Sequence, residues 1–415
     1  MESLAELEVQ HYSIPNFDEF GAPTREDGAT IASNKKLLRG GEMLYSKLNC
    51  HKPRVWLVPH DNQVKVASTD FIPLVEWHSG SVDKRFVVYL IGSAVFTEYM
   101  TCFQTSVTNS HRRINPNDLW QTRIPLPPLP EQERIAVFLD ESCAAIDAAV
   151  AAKRLQIETL DGVRKEIIQK AVTRGLEKNL SLKKTGNVWM PEVPLTWELV
   201  NLKHISEIQT GLTLGKMYEG LLIEKPYLRV ANVQDGHLDL AEVATIEVPK
   251  EVAHRVTLRA GDVLMTEGGD LDKLGRGTIW NDEIADCLHQ NHIFAIRCFR
   301  HKLLPSFLAY LTASQYGRDY FESTGKRTTN LASTSSKKVG MFPILRPPLD
   351  EQERICGFLD EKVAEIGRIQ AGIDVQIQTL TAYRKSLIHE CVTGQRRITE
   401  AEVRRLKGNI NIDVA

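Results

Sequence analysis

The sequence predicts an α+β protein in which two domains with mainly antiparallel sheets are joined by two long helices that pair as an antiparallel coiled coil. Three observations predict it. Residues 127–135 read PPLPEQERI and residues 347–355 read PPLDEQERI, an offset of 220. The match continues without a gap for about 45 residues, roughly half of them identical, so the chain is a tandem duplication. Each copy carries apolar residues at 3/4 spacing over several heptads, and short β-type runs lie upstream of each copy.

The first domain is expected over 1–126. Its β-type runs are Val55-Trp-Leu-Val and Phe71-Ile-Pro-Leu-Val, followed by a shorter helix over about Asp83–Met100. A first long helix segment follows at 127–176. Pro127-Pro128 can precede a helix but not continue one, and Glu131 and Glu133 suit a helix N-terminus. The seam runs through Leu139, Cys143, Ile146, Val150, Lys153, Ile157, Leu160, Arg164, Ile167 and Ala171, eight of ten apolar.

The second domain is expected over 187–346, with runs Tyr227-Leu-Arg-Val and Ile293-Phe-Ala-Ile and a helix over about Pro305–Phe321. The second long helix segment occupies 347–396. Its seam is Leu359, Val363, Ile366, Gln370, Ile373, Ile377, Leu380, Arg384, Leu387 and Cys391, again eight of ten apolar. Gly175 and Gly394 mark the helix stops, and 397–415 forms a C-terminal tail. A helix of about 40 residues is roughly 60 Å long at about 1.5 Å per residue. Each seam needs burial and the simplest partner is the other; the competing arrangement has each helix packed alone on its own domain. Leu139, Ile146, Ile157, Leu160, Leu359, Ile366, Ile377 and Leu380 are the expected spacer and subunit-contact positions.

The duplication extends upstream more weakly. Gly41-Glu-Met-Leu resembles Gly261-Asp-Val-Leu, Trp56 is set against Trp280, and Asn16 aligns with Asn232. The second unit then has an extra leading segment, Trp197–Lys216, that the first lacks. Three explanations stay open: a start further upstream, loss of the segment, or replacement of it in space by the C-terminal stretch.

Of the 415 residues, 42% are hydrophobic and 25% charged, as in a globular protein with ordinary cores. Net charge is −2, so nucleic acid must be held by local patches rather than bulk charge. Seven scattered cysteines contain no CxxC pair, which argues against a zinc module and a disulfide framework. No signal peptide or membrane-length apolar stretch is present, so a cytoplasmic protein with no membrane partner is expected.

Charge is locally uneven. Residues 103–115 carry His111, Arg112 and Arg113 without an acid, and the matching stretch 323–341 carries Lys326, Arg327, Lys337 and Lys338 around Asn330. A third acid-free loop holds Lys47, Lys52 and Arg54; its counterpart, with Lys273 and Arg276, is mixed in sign. Cations neutralise phosphates, and Asn and Arg can read base edges. These residues are the candidate DNA contacts. Each such loop taken alone also fits an ordinary solvated surface; their recurrence at equivalent places is what points to DNA. No GxxxxGK[ST], GxGxxG, HExxH or GxSxG motif is present, and no Asn/Asp-Pro-Pro-aromatic signature of an amino-methyltransferase, so no catalytic or metal-ligating residue is assigned.

The order variable–repeat–variable–repeat, with each repeat opening PPLxEQERI and continuing IxTLxxxRKxxIxxxVT, resembles the specificity subunit of type I restriction–modification systems. Trp197-Glu-Leu-Val, Gln209-Thr-Gly211 and Gly261-Asp-Val-Leu-Met are similar to that family's target-recognition domains. The resemblance implies that each variable domain reads one half of a split double-stranded DNA site, while the helix pair sets half-site spacing and binds two modification subunits. It implies a non-catalytic chain that binds no cofactor itself. S-adenosylmethionine would belong to the modification subunits, and ATP with magnesium to restriction subunits that join the complex. The competing function is a scaffold whose helices organise protein partners without binding DNA.

Overall fold

The computed structural model of the chain describes residues 7–31, 33–75, 80–106, 112–177, 181–269, 274–275, 277–327 and 332–410. The two repeats become helices over Leu129–Arg174 and Leu349–Val392. The fold is the expected mixed one, with small, mostly antiparallel sheets and two long helices. The chain divides into two compact units, Met1–Arg154 with Ile373–Ala415, and Leu155–Gly372. Both long helices are therefore shared between units rather than standing apart as separate bodies.

In the first unit, strand Met43–Ser46 lies between Val55–Leu57 and Phe71–Leu74, antiparallel to both. A second sheet has the order Thr24–Asp27, Glu8–Tyr12, Lys65–Ser68, Lys35–Leu38, with its central pair parallel. Trp56 sits between them, edge-on to Tyr12 and Phe17 and 5.3 Å from Phe71. The second unit repeats this plan. Val263–Thr266 lies between Gly277–Ile279 and Ile293–Cys298, and Leu222–Leu228 pairs antiparallel with Ala244–Pro249 and parallel with Leu288–His289.

The weak upstream duplication is thus a repeat of architecture. Gly41 N–H donates to Val58 O and Gly261 N–H to Trp280 O, both at 2.7 Å, with φ of 78° and 92° respectively. Only glycine takes such φ values without strain, which explains the shared Gly-acid-x-Leu pattern. The strand registers correct one alignment: Trp280 is the counterpart of Val58, not of Trp56. The slip is two residues, so both tryptophans still face the same side of their strand and enter a core.

Two further expectations change. The helix expected over Asp83–Met100 is two helices, Lys84–Ile91 and Ala94–Thr101, and that over Pro305–Phe321 is also two, Pro305–Ala313 and Gln315–Thr324. Ser93 and Ser314 break them by serving as N-caps, their hydroxyls accepting from Phe96 N and Gly317 N at 3.3 Å.

The extra leading segment of the second unit adds strands. Glu198–Asn201 pairs with Pro343–Arg346, and Ser206–Thr210 extends the sheet at Ile293–Cys298. Among the described residues the first unit has neither strand, and the counterpart of Pro343–Arg346, residues 123–126, is irregular. Gly340 lets this segment approach: a Cβ there would lie 3.3 Å from Lys203 Cβ and 3.4 Å from Ile208 Cδ1. Its counterpart in the first unit is Trp120, 61% exposed. The C-terminal stretch adds no strand there; it forms a helix, Glu400–Ile410, packed on the first core through Val403 and Leu406.

Within each unit the two long helices run antiparallel, side by side. In the first unit Arg384 Nε lies 2.9 Å from Asp147 Oδ1, and Lys153 Nζ donates to Gln376 Oε1 at 2.5 Å. In the second, Gln370 Nε2 donates to Asp161 Oδ1 at 3.1 Å and to Ile157 O at 3.4 Å. Thus one seam arginine, Arg384, meets an acid of the other helix, while Arg164 pairs within its own helix with Asp161. Leu139, Ile146, Leu359 and Ile366 are buried; Ile157, Leu160, Ile377 and Leu380 are half-buried.

The repeated motif has a structural reason. Gln132, fully buried, donates to Ser81 O and Pro127 O and accepts from Asp83 N. Gln352 donates to Lys302 O and Pro347 O and accepts from Leu304 N. About two turns on, Tyr89 Oη donates to Asp140 and Tyr310 Oη to Asp360. Each long helix is keyed to its own domain by the same side-chain amide and the same Tyr–Asp bond. Its far end serves the other unit: Ile168, Ala171 and Val172 enter the second core, and Leu387, Cys391 and Val392 the first.

Candidate nucleic-acid interface

In the first unit Thr105–Ser106 pairs with Arg112–Arg113, so that Thr105 faces Arg113 and Ser106 faces Arg112. The loop after Met43–Ser46 runs alongside. Leu48 bridges Arg113, Asn49 N–H donates to Arg112 O at 2.7 Å, Asn49 Oδ1 accepts from Arg112 N, and Ile114 N–H donates to Lys47 O. Asn49 takes φ 52°, a left-handed turn that Asn tolerates better than most residues. This is how Lys47 and Lys52 come to lie beside the arginine pair. Arg112 and Arg113 are exposed, Arg113 reaching Asp70 at 3.2 Å.

The second unit builds the same device. Lys326–Arg327 pairs with Ala332–Ser333, which pairs in turn with Gly268–Gly269. Thr334 N–H donates to Glu267 O as Ile114 does to Lys47 O. The rungs are equivalent and the cations are not on the same strand. Where Arg113 faces Thr105, Ser333 faces Lys326; where Arg112 faces Ser106, Ala332 faces Arg327. Each rung in each unit therefore carries one cation, supplied from opposite strands.

Signs around the hairpins differ. Lys47 and Asp70 in the first unit correspond to Glu267 and His292 in the second, where His292 Nδ1 lies 2.5 Å from Glu267 Oε2. Lys337 is exposed, at the start of a short helix capped by Ser335. Lys338 is half-buried and donates to Thr324 O, which ties the hairpin base to the preceding helix. Arg54 is corrected. It is 5% exposed and binds Asp18 through two bonds of 2.6 Å, so its charge is spent inside the domain. The hydrogen bond from Arg54 holds the Asp18 carboxyl below its ordinary range. His111, Lys273, Arg276, Asn330 and the Arg327 side chain lie outside the described residues.

Sequence reasoning passed over Asn49, which bonds the hairpin strand at Arg112, and Gln132 and Gln352, which fix each long helix to its domain. The signal for the glutamines was present, since both stand in the quoted repeat. Among the described residues no group of three His, Cys, Asp or Glu is arranged to hold a metal, and no helix is long and apolar enough to cross a membrane. Six of the seven cysteines are buried thiols; Cys102 is exposed.

No protein-family model matches the chain. It is 26% identical over 214 residues to the putative type I restriction enzyme MjaX specificity subunit of Methanocaldococcus jannaschii, covering 51% of this chain and 50% of that one. It is 23% identical over 316 residues to the EcoKI specificity subunit of Escherichia coli, covering 75% of this chain and 65% of that one. The EcoBI specificity subunit of Escherichia coli is 22% identical over 400 residues, 89% and 81% of the two chains. The chain thus spans half to about two thirds of the length of the first two relatives. A chain from a solved structure on complex assembly and conformational transition of the type I R-M system shares the fold, with TM-score 0.71 and 19% identity over 94% of this chain and 93% of that one. These relatives are specificity subunits of type I restriction enzymes, the family that the sequence of this chain resembles.

Proposed function

We propose that this chain is the non-catalytic, DNA-reading subunit of a type I restriction–modification complex. Each unit presents its basic hairpin to one half of a bipartite site in double-stranded DNA. The long helices set the span between half-sites and carry two modification subunits, which hold S-adenosylmethionine; restriction subunits with ATP and magnesium complete the assembly. The observation that carries the reading is the pair of hairpins at equivalent places in both units, with one cation kept on every rung while its strand changes. Conserved charge supports a shared phosphate-binding role, and the altered surroundings (Lys47 and Asp70 against Glu267 and His292) support different base preferences. A net charge of −2 keeps non-specific binding weak, and linking two readers makes up the affinity that each lacks alone.

The test is titration of the complex with its modification subunits against target and random duplexes at several salt concentrations. Site-specific binding that weakens steeply with salt is expected. Equal binding of both duplexes, or no DNA binding under any partner condition, would leave the scaffold function instead.

A further inference from the structure

The two units close the far end of their borrowed helix differently. In the first unit the chain leaves the second long helix through Gly394, and Arg396 lays its guanidinium 4.9 Å from the Phe138 ring centre. Thr399 and Glu402 then form reciprocal caps for the C-terminal helix, whose Val403 and Leu406 cover the core. Under this cover Phe138 is 7% exposed, Leu387 1% and Cys391 1%.

At the offset of 220 these positions correspond to Phe358, Ile167 and Ala171 in the second unit, and Arg396 corresponds to Leu176. Here the chain leaves the first long helix into a strand, Leu182–Lys184, and among the described residues 181–190, the counterpart of the C-terminal helix, there is no helix. Phe358 and Ile167 are only half-buried, Leu176 is 41% exposed, and all four residues line a cavity of about 520 Å³. The rim is basic. Lys170 and Arg174 are exposed and make no ion pair among the described residues, with Glu177 the one acid beside them. In the first unit the position of Lys170 is Glu390, which suits a helix carrying Arg404 and Arg405.

We propose that this cavity is a docking groove for an acidic amphipathic helix of a partner protein, seated on Phe358, Ile167 and Leu176 as the C-terminal helix seats on the first unit. The internal repeat shows what kind of element seals these positions. The charge of the rim selects against a second copy's own C-terminal helix, whose arginines would meet Lys170 and Arg174. This inference does not depend on the DNA-reading proposal.

The probe is a labelled peptide of residues 399–410 carrying Arg404→Glu and Arg405→Glu, titrated onto the full chain by fluorescence anisotropy. Saturable binding is expected, at least tenfold tighter than that of the native-sequence peptide and weakened at least tenfold by Leu176→Asp. In a Lys170→Glu/Arg174→Glu chain the preference should invert, a result that misfolding cannot produce. Absence of saturable binding, indifference to Leu176→Asp, or tighter binding of the native-sequence peptide by the unaltered chain would overturn the proposal.

Discussion

The two units share a plan and differ in how its parts are partnered. Both key their long helix with a buried glutamine and a Tyr–Asp bond, and both place a small basic hairpin at the same corner. They part at the buried acid that follows the shared glycine, Glu42 after Gly41 and Asp262 after Gly261. Asp262 accepts from Arg259 N and from two nitrogens of Arg297. Its counterpart Glu42 accepts from Arg39 N, but its second oxygen is buried without a partner, and Val75 stands where Arg297 stands in the second unit. Parts that fix the frame have stayed; parts that tune each domain have drifted without loss of the fold.

The comparison breaks most severely at the shared key. Gln352→Glu places a carboxylate against Lys302 O and Pro347 O in a site of zero exposure, and should cost the second unit about 4 kcal/mol. Gln132→Glu should do the same to the first unit. Hydrogen exchange resolved by unit checks that each substitution loosens its own domain first.

A difference between the units should appear on acidification. His289, in the second unit, is buried with Nδ1 on Ile293 O, and burial lowers its pKa from 6.5 to about 4. Its counterpart in the first unit is Ala67. A histidine with a depressed folded pKa contributes stability above about pH 6.5, and that contribution is lost as pH falls from there toward 4. The second unit should lose up to about 3 kcal/mol over this window, and His289→Gln should flatten the dependence. Thermal melts at pH 7 and pH 5 measure it.

Smaller effects sharpen the reader comparison. Arg112→Ala with Arg113→Ala should lower affinity of the complex about tenfold through the first half-site and leave the second half-site's sequence preference intact, as read by competition with single-half variants. Lys326→Ala should act on the other half-site. Val75→Arg should supply the missing partner of Glu42 and raise first-unit stability by about 1 kcal/mol, seen as a higher melting midpoint.

Much of the frame was legible because repetition and helical period are local signals. The long helices emerged within a few residues of their expected bounds, and Gly41 and Gly261 marked the same turn. The short helices split because Ser93 and Ser314 cap, which an apolar pattern does not register. Arg54 read as a free cation because Asp18 lies 36 residues earlier, and only folding brings them together. The hairpin cations were visible as composition, but their exchange between strands needed the register.

The most direct test of the central claim is the tolerated spacer. One heptad removed from each long helix, in register, shortens the pair by roughly 10 Å, about three base pairs. Bound to its modification subunits, the shortened chain should select the same two half-sites at a spacer about three base pairs shorter. Unchanged spacer preference with intact half-site reading would contradict the claim that these helices set the span.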